Sequence, residues 1–430
     1  LFNKIPYFDE NVEISQYPDI PNNEFTRDEI LSMLAKEMLD AAELLPASQS
    51  EVGRIHKYIA LAYAAKIKLY QAYQQDETTH AVTSINKELL REVVSLCDQV
   101  TASNRYGLLD DFQGLDLVAN ENGKESVFTI QYSMNDGTES AGRINWSNLL
   151  NSPGGGSPYG GDGFFLPSQD LINAYQTDAN GLPDFNYQSK SDYSWAVLNN
   201  GVYTLQNTTP NVDPRLDFVV GRPTITWKTY PDKPCEGWVR DKETYGYNCA
   251  KRFWVSPESS DMFNGWPWGA SQLNWQIIRY ADILLWKAEA LIELNEGNGL
   301  ETARDLINQI RNRARNSAYV KDFNDHSNYA ANYLVNPYPA DVWNQDYARQ
   351  ALRWETRLEK ALEGERFFDL VRWGIVETTM NKYIAAESDN RIYYANAHFT
   401  GGKDEYYPVP NNQYGFSGGK YVQNPGYAPF

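Results

Sequence analysis

The first strong pattern of apolar and polar positions is in the segment "TRDEILSMLAKEMLDAAELLP". Thr26 and Glu29 have the spacing of a capping box, in which each side chain satisfies a backbone N–H of the first turn. Apolar residues then recur every three or four positions until Pro46, which predicts one amphipathic helix. A second segment, at about 54–75, has the same spacing with alanines that permit close helix–helix approach. "NKELLREVVSLCDQV" predicts a third helix.

Helical spacing returns in the second half of the chain. "WQIIRYADILLWKAEALIEL" and "GLETARDLINQIRNRARN" are joined by a short turn that contains glycine, which predicts an antiparallel helical hairpin, and another helix is predicted at about 346–363. Such hairpins resemble tetratricopeptide units, although the 34-residue period is poorly kept. We therefore predict a mainly α fold with a tetratricopeptide-like helical-hairpin scaffold, in which the helices of 27–102 and 276–375 pack together.

Residues 103–275 have no long helical period. Short alternating runs such as "SVFTIQYS" and "TITWKTY" predict strands between turns. We expect a large irregular region of loops and short strands, laid over the helices, and such regions usually carry function. The predicted organisation is a helical part at 1–102 and a region at 103–430, which contains a loop-rich ligand-binding insert at 103–275 and the C-terminal helices and tail at 276–430. Together they form a single compact unit.

The composition and the missing motifs argue against several classes of function. The formal net charge of −18 argues against binding of nucleic acid, whose phosphates require clustered Lys and Arg. No phosphate-binding loop, nucleophile elbow or transition-metal spacing occurs, and no apolar run is long enough to cross a bilayer. The 56 Asp and Glu residues leave a glycosidase-type carboxylate pair open. No cofactor is predicted; calcium is conceivable in "DGFFLPSQD" or "TDANGLPD" but is not predicted.

Three cysteines are present. Cys97 lies on the apolar face of a helical pattern, which predicts a buried thiol. Cys235 and Cys249 lie in the same loop-rich stretch, and whether they form a disulfide stays open.

Three stretches of the chain carry long, co-linear motifs. They are "RWETRLEKALEGERFFDLVRWG" at 353–374, "YYPVPNNQYGFSGGKYVQNPGY" at 406–427 and "NVDPRLDFVV". These motifs resemble the SusD/RagB family: the first is similar to its helix that leads into E-G-x-R-x-x-D-L-x-R-W-G, the second to its closing segment, and the third to its D-P-R-L motif. The sequence departs from the pattern at Thr356, where the family usually has Arg, and at Lys360, where it usually has Leu. The start of the chain resembles the part of a family member that comes after the first helical block, so we expect the segment with the signal peptide and the lipid-bearing cysteine to be missing.

The resemblance implies a function. Family members are outer-membrane lipoproteins of the cell surface that bind glycans, and sometimes peptides, and deliver them to a SusC-like TonB-dependent transporter; they are not enzymes. Their contact with the membrane would be only through an N-terminal lipid anchor absent from this chain. A glycoside hydrolase of the same glycans and a helical-repeat scaffold that binds proteins are the alternatives. Within the C-terminal motif we expect Glu363, Arg366, Asp369 and Arg372 to form ion pairs, since charges at i, i+3 spacing pair locally, with Phe367, Leu370 and Trp373 in the core.

A glycan-binding surface needs exposed aromatic rings beside planar polar groups, because sugars present both C–H patches and hydroxyl edges. Aromatic residues make up 14% of the chain, which is high for so polar a protein. In "FNGWPWGASQLNW" we expect one of Trp266 and Trp268 to be a stacking platform and the other an anchor, whereas Trp275 and Trp286 belong to the core. The candidate ligand-binding residues are Tyr193, Trp195, Trp227, Tyr230, Trp254, Asn264, Trp266 and Trp268.

Overall fold

A computed structural model describes residues 1–138, 142–146, 149–230, 232–234, 236–265 and 269–430. The protein is mainly helical, as predicted. Its α-helices are α1 (Arg27–Leu44), α2 (Lys57–Ala72), α3 (Lys87–Ala102), α4 (Gln169–Ala174), α5 (Arg215–Val219), α6 (Lys242–Tyr245), α7 (Tyr280–Leu294), α8 (Gly299–Asn316), α9 (Gln345–Glu359), α10 (Arg366–Arg372), α11 (Val376–Glu387) and α12 (Asn411–Phe416). Within the described residues, none of these helices combines the length and apolar character needed to cross a membrane.

Local signals place several helix ends correctly. The Thr26 side chain accepts from the backbone N–H of Glu29, and the Glu29 carboxylate accepts from that of Thr26, so the predicted capping box starts α1. The predicted hairpin is formed by α7 and α8. Asn295 ends α7 in the left-handed conformation, with φ of 50°, which lets the chain reverse into α8.

Short antiparallel strand pairs connect distant parts of the chain. The strands are β1 (Tyr73–Gln75), β2 (Val82–Ile85), β3 (Ser126–Ile130), β4 (Gln176–Thr177), β5 (Ala196–Asn199), β6 (Val202–Leu205), β7 (Asn211–Val212), β8 (Val220–Gly221), β9 (Cys249–Ala250) and β10 (Trp275–Arg279). They pair as β1–β2, β3–β10, β4–β7, β5–β6 and β8–β9. The predicted strand in "SVFTIQYS" is confirmed as β3.

Two predictions for this region are wrong. "WQIIR" does not begin the helix, because it pairs with β3 as β10, and the helix starts only at Tyr280. "TITWKTY" is a turn and not a strand, since Thr224 and Lys228 have φ of 63° and 49°, which interrupts an extended backbone.

The largest hydrophobic core joins the two helical blocks. It contains buried residues of α2 and α3 from one block and of α7, α8, α9 and α10 from the other, so the helices on the two sides of the insert share one core, as expected. Trp286, Leu370 and Trp373 are buried in this core, whereas Phe367 is only partly buried against it and Trp275 is partly buried against Phe253. Alanines 62, 64 and 65 of α2 are completely buried at the helix contacts.

Three glutamates of the C-terminal motif form a buried ionic network. Glu355, Glu359 and Glu363 follow one another at four-residue spacing and are all buried or nearly so. All of their partners except Lys360 come from other segments. The partners are Arg215 (2.6 Å) and Arg311 (3.0 Å) for Glu355, Arg279 (3.0 Å), Arg215 (3.3 Å) and Arg313 for Glu359, and Arg279 (2.8 Å), Arg252 (3.1 Å) and Lys360 (2.6 Å) for Glu363.

The network gives the sequence motifs a structural role. Arg215 belongs to the D-P-R-L motif, Arg279 immediately precedes α7, and Arg311 and Arg313 lie on α8. Burial alone would raise the pKa of Glu359, but the guanidinium groups of Arg313, Arg279 and Arg215 outweigh it and lower the pKa to about 2. The charged network therefore ties the insert to the C-terminal helices.

The local ion pair expected for Arg366 is absent among the described residues. After α9 the chain turns through Leu362 and Gly364, with φ of 67° and 85°, so Glu363 lies before α10 and points to Arg279 instead. The prediction was wrong because spacing alone does not select the partner: Arg366 and Asp369 share α10 without forming an ion pair, whereas Lys360 and Glu363 pair at 2.6 Å outside a common helix. Asp369 and Arg372, which do share α10, pair at 2.9 Å as predicted, and Arg372 also contacts Glu289.

The cysteines are described in part. Cys97 is buried in the main core, as predicted, and this burial raises the pKa of its thiol to about 12. Cys249 is also buried, and Cys235 lies outside the described residues, so the pairing of the two stays open.

Candidate functional site

Three of the predicted ligand-binding aromatics are inside the protein. Tyr193 is 0%, Trp227 1% and Trp254 3% exposed. Trp227 and Trp254 pack on Tyr159, with ring centroids 5.4 and 4.6 Å away, and Tyr193 lies against the guanidinium of Arg222. The expected exposure of these three rings is therefore wrong, because Trp227 and Trp254 lie in a hydrophobic core of the insert and Tyr193 lies in a core that the insert shares with the end of α9.

The other predicted residues differ in accessibility. Trp195 is exposed at the start of the β5–β6 hairpin, and Asn264 is exposed on its loop, whereas Tyr230 is partly buried against Trp238. Trp266 and Trp268 lie outside the described residues, so the expectation for this pair stays a prediction.

The structure brings together five tyrosines, two of them exposed and three partly buried, that were not predicted from the sequence. Tyr245 and Tyr393 are 49% and 50% exposed, and their ring centroids are 6.1 Å apart. Tyr393 contacts Tyr394 at 4.6 Å, and Tyr203 contacts Tyr247 at 5.2 Å. We call these five residues the tyrosine patch. They come from β6, from the end of α6 and from the turn after α11.

Two local features hold the patch together. Gly246 separates Tyr245 from Tyr247 and has φ of 80°. This positive φ favours glycine, and a side chain there would start 1.9 Å from Nη2 at the flexible end of Arg391, which would have to move. Tyr203 is presented by a hairpin whose two-residue turn, Asn200 and Gly201, has positive φ at both positions, as a type I′ turn requires.

The patch is rimmed by polar groups. Lys242 lies 5.3 Å from the ring centroid of Tyr203, Arg391 donates to the carbonyl of Asn390 at 2.6 Å, and Asn390 reaches Asp192 at 3.4 Å. Burial, followed by the neighbouring Tyr394, raises the pKa of Tyr393 above its ordinary value, so this hydroxyl is neutral at physiological pH. The patch thus offers flat apolar faces together with neutral and charged hydrogen-bonding groups.

Below the patch, two contacts fix the turn after α11. The hydroxyls of Tyr394 and Tyr383 are 3.1 Å apart, and the backbone N–H of Arg391 donates to the carbonyl of Glu387 at 2.7 Å. The Glu387 carboxyl is buried, where it accepts from the backbone N–H of Asp170, and this burial raises its pKa to about 7. The turn is therefore anchored to both α4 and α11.

Trp195 lies near the patch but is not part of it. Side chains alternate between the two faces of a hairpin, which puts Trp195 on the face opposite Tyr203. A separate ring cluster of Tyr319, Tyr329 and Tyr333 exposes mainly Tyr329, at 54%. In the tyrosine patch two half-exposed rings lie side by side; Tyr414 with Phe430, and Phe2 with Tyr407, form other exposed ring pairs close to the ends of the chain.

Most of the ligand-binding residues predicted from the sequence are tryptophans, and none of them belongs to the tyrosine patch. The segments "TYGYN" and "RIYYAN" each carry two tyrosines beside polar residues in non-helical sequence. That local signal was available. The proximity of the two segments could not be predicted, because about 145 positions separate them along the chain.

Comparisons with known proteins agree with the architecture. The profile of the SusD family matches residues 124–427. A SusD-like protein of Bacteroides fragilis NCTC 9343 has 21% identity and a TM-score of 0.64, over 99% of this chain and 76% of its own. A SusD-like carbohydrate-binding protein of the same strain has 20% identity and a TM-score of 0.65, over 96% and 75%. Surface glycan-binding protein A of Bacteroides thetaiotaomicron, in complex with laminarihexaose, has 17% identity and a TM-score of 0.61, over 99% and 74%. No curated protein sequence matches the chain.

Proposed function

This chain belongs to the SusD family, and we propose that it captures an oligosaccharide or polysaccharide at the cell surface through the tyrosine patch. Members of the family are cell-surface glycan-binding proteins and not enzymes, so membership argues against the glycoside hydrolase alternative. Structurally similar proteins include one that binds laminarin and one in complex with laminarihexaose. Laminarin and laminarihexaose are therefore the first glycans to test on this chain.

The observation that carries the proposal is the pair of half-exposed rings of Tyr245 and Tyr393. An exposed ring face binds the C–H patch of a sugar without rearrangement, and its turn is already anchored, so little conformational entropy is lost on binding. The hydroxyls and the side chain of Arg391 can donate to sugar hydroxyls. Both requirements of a glycan surface therefore meet in the patch.

The charge of the protein favours a neutral glycan. With a formal net charge of −18, an acidic polysaccharide would be repelled over much of the surface. A neutral glycan releases no counterions, so its affinity should change little with salt concentration. Binding on an open surface leaves much of the ligand hydrated, and we expect dissociation constants in the micromolar to millimolar range, about 4–8 kcal/mol.

Affinity gel electrophoresis tests the proposal. The protein is run in native gels that contain laminarin, other neutral polysaccharides or no additive. We expect retardation by at least one neutral polysaccharide, at both low and high salt, with no shorter products when the gel polysaccharide is analysed by chromatography. Equal mobility in all gels would argue against glycan capture, and the appearance of shorter products would favour the hydrolase.

We further propose that the protein is lipid-anchored at the outer membrane and delivers the glycan to a SusC-like TonB-dependent transporter. Support for this comes from family membership alone. The test is co-purification from detergent-solubilised outer membranes of the source bacterium with tagged full-length protein. A stoichiometric β-barrel transporter in the eluate, absent from a mock purification, is expected. Recovery of the tagged protein by itself, under conditions that preserve membrane complexes, would contradict delivery to such a partner.

A further inference from the structure

Beneath the tyrosine patch lies a cavity of about 330 Å³. It is open to solvent on one side and is lined by the start of α4, the end of α9, α10 and α11, and Tyr383 forms part of its wall. This volume is in the range of pockets that bind small organic molecules. Most of the wall is apolar, and its larger apolar side chains are Phe165, Leu171, Leu362, Phe367, Leu370 and Met380.

Nearly all charged side chains of the wall have a partner of opposite charge. Arg357 pairs with Asp170 at 2.6 Å, and Lys360 pairs with Asp282 at 2.7 Å. Asp369 is paired as well, with Arg372 on the same helix. These groups are neutralised within the protein and do not require a ligand.

Arg366 is the exception. It lines the cavity and is partly buried, yet among the residues that the structure describes no carboxylate forms an ion pair with its guanidinium. Its guanidinium lies 5.9 Å from the ring centroid of Trp373, and its hydrogen bond within this part of the chain is a long one, 3.5 Å from Nη1 to the carbonyl of Arg353. Burial, and next the positive charge of Arg357, lowers the pKa of Arg366. Arginine remains protonated at neutral pH even so, and a desolvated charge without an anionic partner is costly.

We propose that this cavity binds a small monocarboxylate with an apolar body, whose carboxylate pairs with the guanidinium of Arg366. The fork of N–H donors on arginine matches the two oxygens of a carboxylate. The apolar wall favours a hydrocarbon chain or ring over a second polar group. An inorganic anion would satisfy the charge but leave the apolar wall empty. The site does not depend on the glycan proposal, because it uses a different surface and a different ligand class.

The probes are 4-phenylbutyrate, its uncharged counterpart 4-phenylbutanol, and inorganic phosphate, titrated into the full chain by calorimetry at pH 7. We expect 4-phenylbutyrate to bind with a dissociation constant on the order of 0.1–1 mM. The alcohol and phosphate should each bind at least about tenfold more weakly, since the alcohol lacks the carboxylate and phosphate lacks the apolar body.

Two arginine variants complete the test. Arg366→Met keeps the length and apolar stem of the side chain. It should lower the affinity for 4-phenylbutyrate at least about tenfold and leave the affinity for the alcohol unchanged. Arg353→Met removes an equal charge beside the same tryptophan, Trp373, but outside the cavity wall, and it should bind both probes like the parent protein. Circular dichroism checks that both variants are folded.

Three results would overturn the site. They are no binding of 4-phenylbutyrate to the parent protein up to about 10 mM, equal binding of the acid and the alcohol, or an Arg366→Met variant that binds the acid as well as the parent protein does. If Arg366→Met does not fold, the comparison of acid, alcohol and phosphate on the parent protein still decides, because it needs no substitution.

Discussion

Replacing Glu359 by alanine should lower the free energy of unfolding by about 3–5 kcal/mol. Glu359 is fully buried and contacts Arg279, Arg215 and Arg313, which come from three different segments. Removal of the carboxylate leaves these buried guanidinium groups with one anion fewer and no access to water. The measurement is urea unfolding followed by far-UV circular dichroism at pH 7.

A matched surface pair supplies the control. Glu51 and Arg54 also form an ion pair, but both side chains are about two thirds exposed, so Glu51→Ala should change stability by less than about 1 kcal/mol. If Glu359→Ala were as stable as Glu51→Ala, the buried network would not hold the scaffold together.

The pH dependence of the same variants separates charge from packing. The folded-state pKa of Glu359 is lowered to about 2, so its stabilisation is present above about 4.5 and is lost as the pH falls toward 2. The difference in stability between the parent protein and Glu359→Gln, which keeps the side-chain volume, should therefore shrink over that window. A difference that is independent of pH would assign the effect to packing instead.

The second large effect concerns glycan binding. Combined replacement of Tyr245 and Tyr393 by alanine should lower the affinity for the preferred polysaccharide by at least about tenfold, or about 1.4 kcal/mol. The reason is that exposed aromatic anchors contribute most of the binding energy at such sites. The two rings are adjacent, so one sugar chain can contact both. Calorimetric titration of the parent protein and of the double variant measures the loss, and thermal unfolding checks that stability is unchanged.

Other exposed rings act as comparisons. Tyr329→Ala removes a similarly exposed ring from a separate cluster and should leave affinity unchanged. Trp195→Ala tests the opposite face of the β5–β6 hairpin. If the tyrosine double variant binds normally and Trp195→Ala does not, the patch is the wrong surface and the predicted tryptophan is the ligand-binding residue.

Arg366 and Glu363 show that a sequence motif does not identify the ion-pair partners of its residues. Both residues belong to one motif, and spacing alone paired them with each other. In the structure Glu363 contacts Lys360 nearby and Arg279 and Arg252 far away in the sequence, and Arg366 lines a cavity. A sequence motif therefore identified the residues that matter for the scaffold, but it did not identify their partners.

Features that depend on near neighbours could be predicted from the sequence. The capping box at Thr26, the limits of α8 at 299–316 and the helical hairpin arise from side-chain spacing and from backbone groups within a few residues. The motif at 353–374 was sufficient to indicate the family, because its residues are contiguous.

Tertiary structure decided which side chains reach solvent and which meet. Trp227 and Trp254 resemble exposed loop tryptophans in sequence, yet they are buried, whereas Tyr245 and Tyr393 are distant in the sequence and become neighbours only in the folded chain. "WQIIR" likewise has apolar residues suited to a helix, but pairing with β3 makes it a strand. Burial and proximity are sums over contacts between residues distant in the chain, and no local pattern contains them.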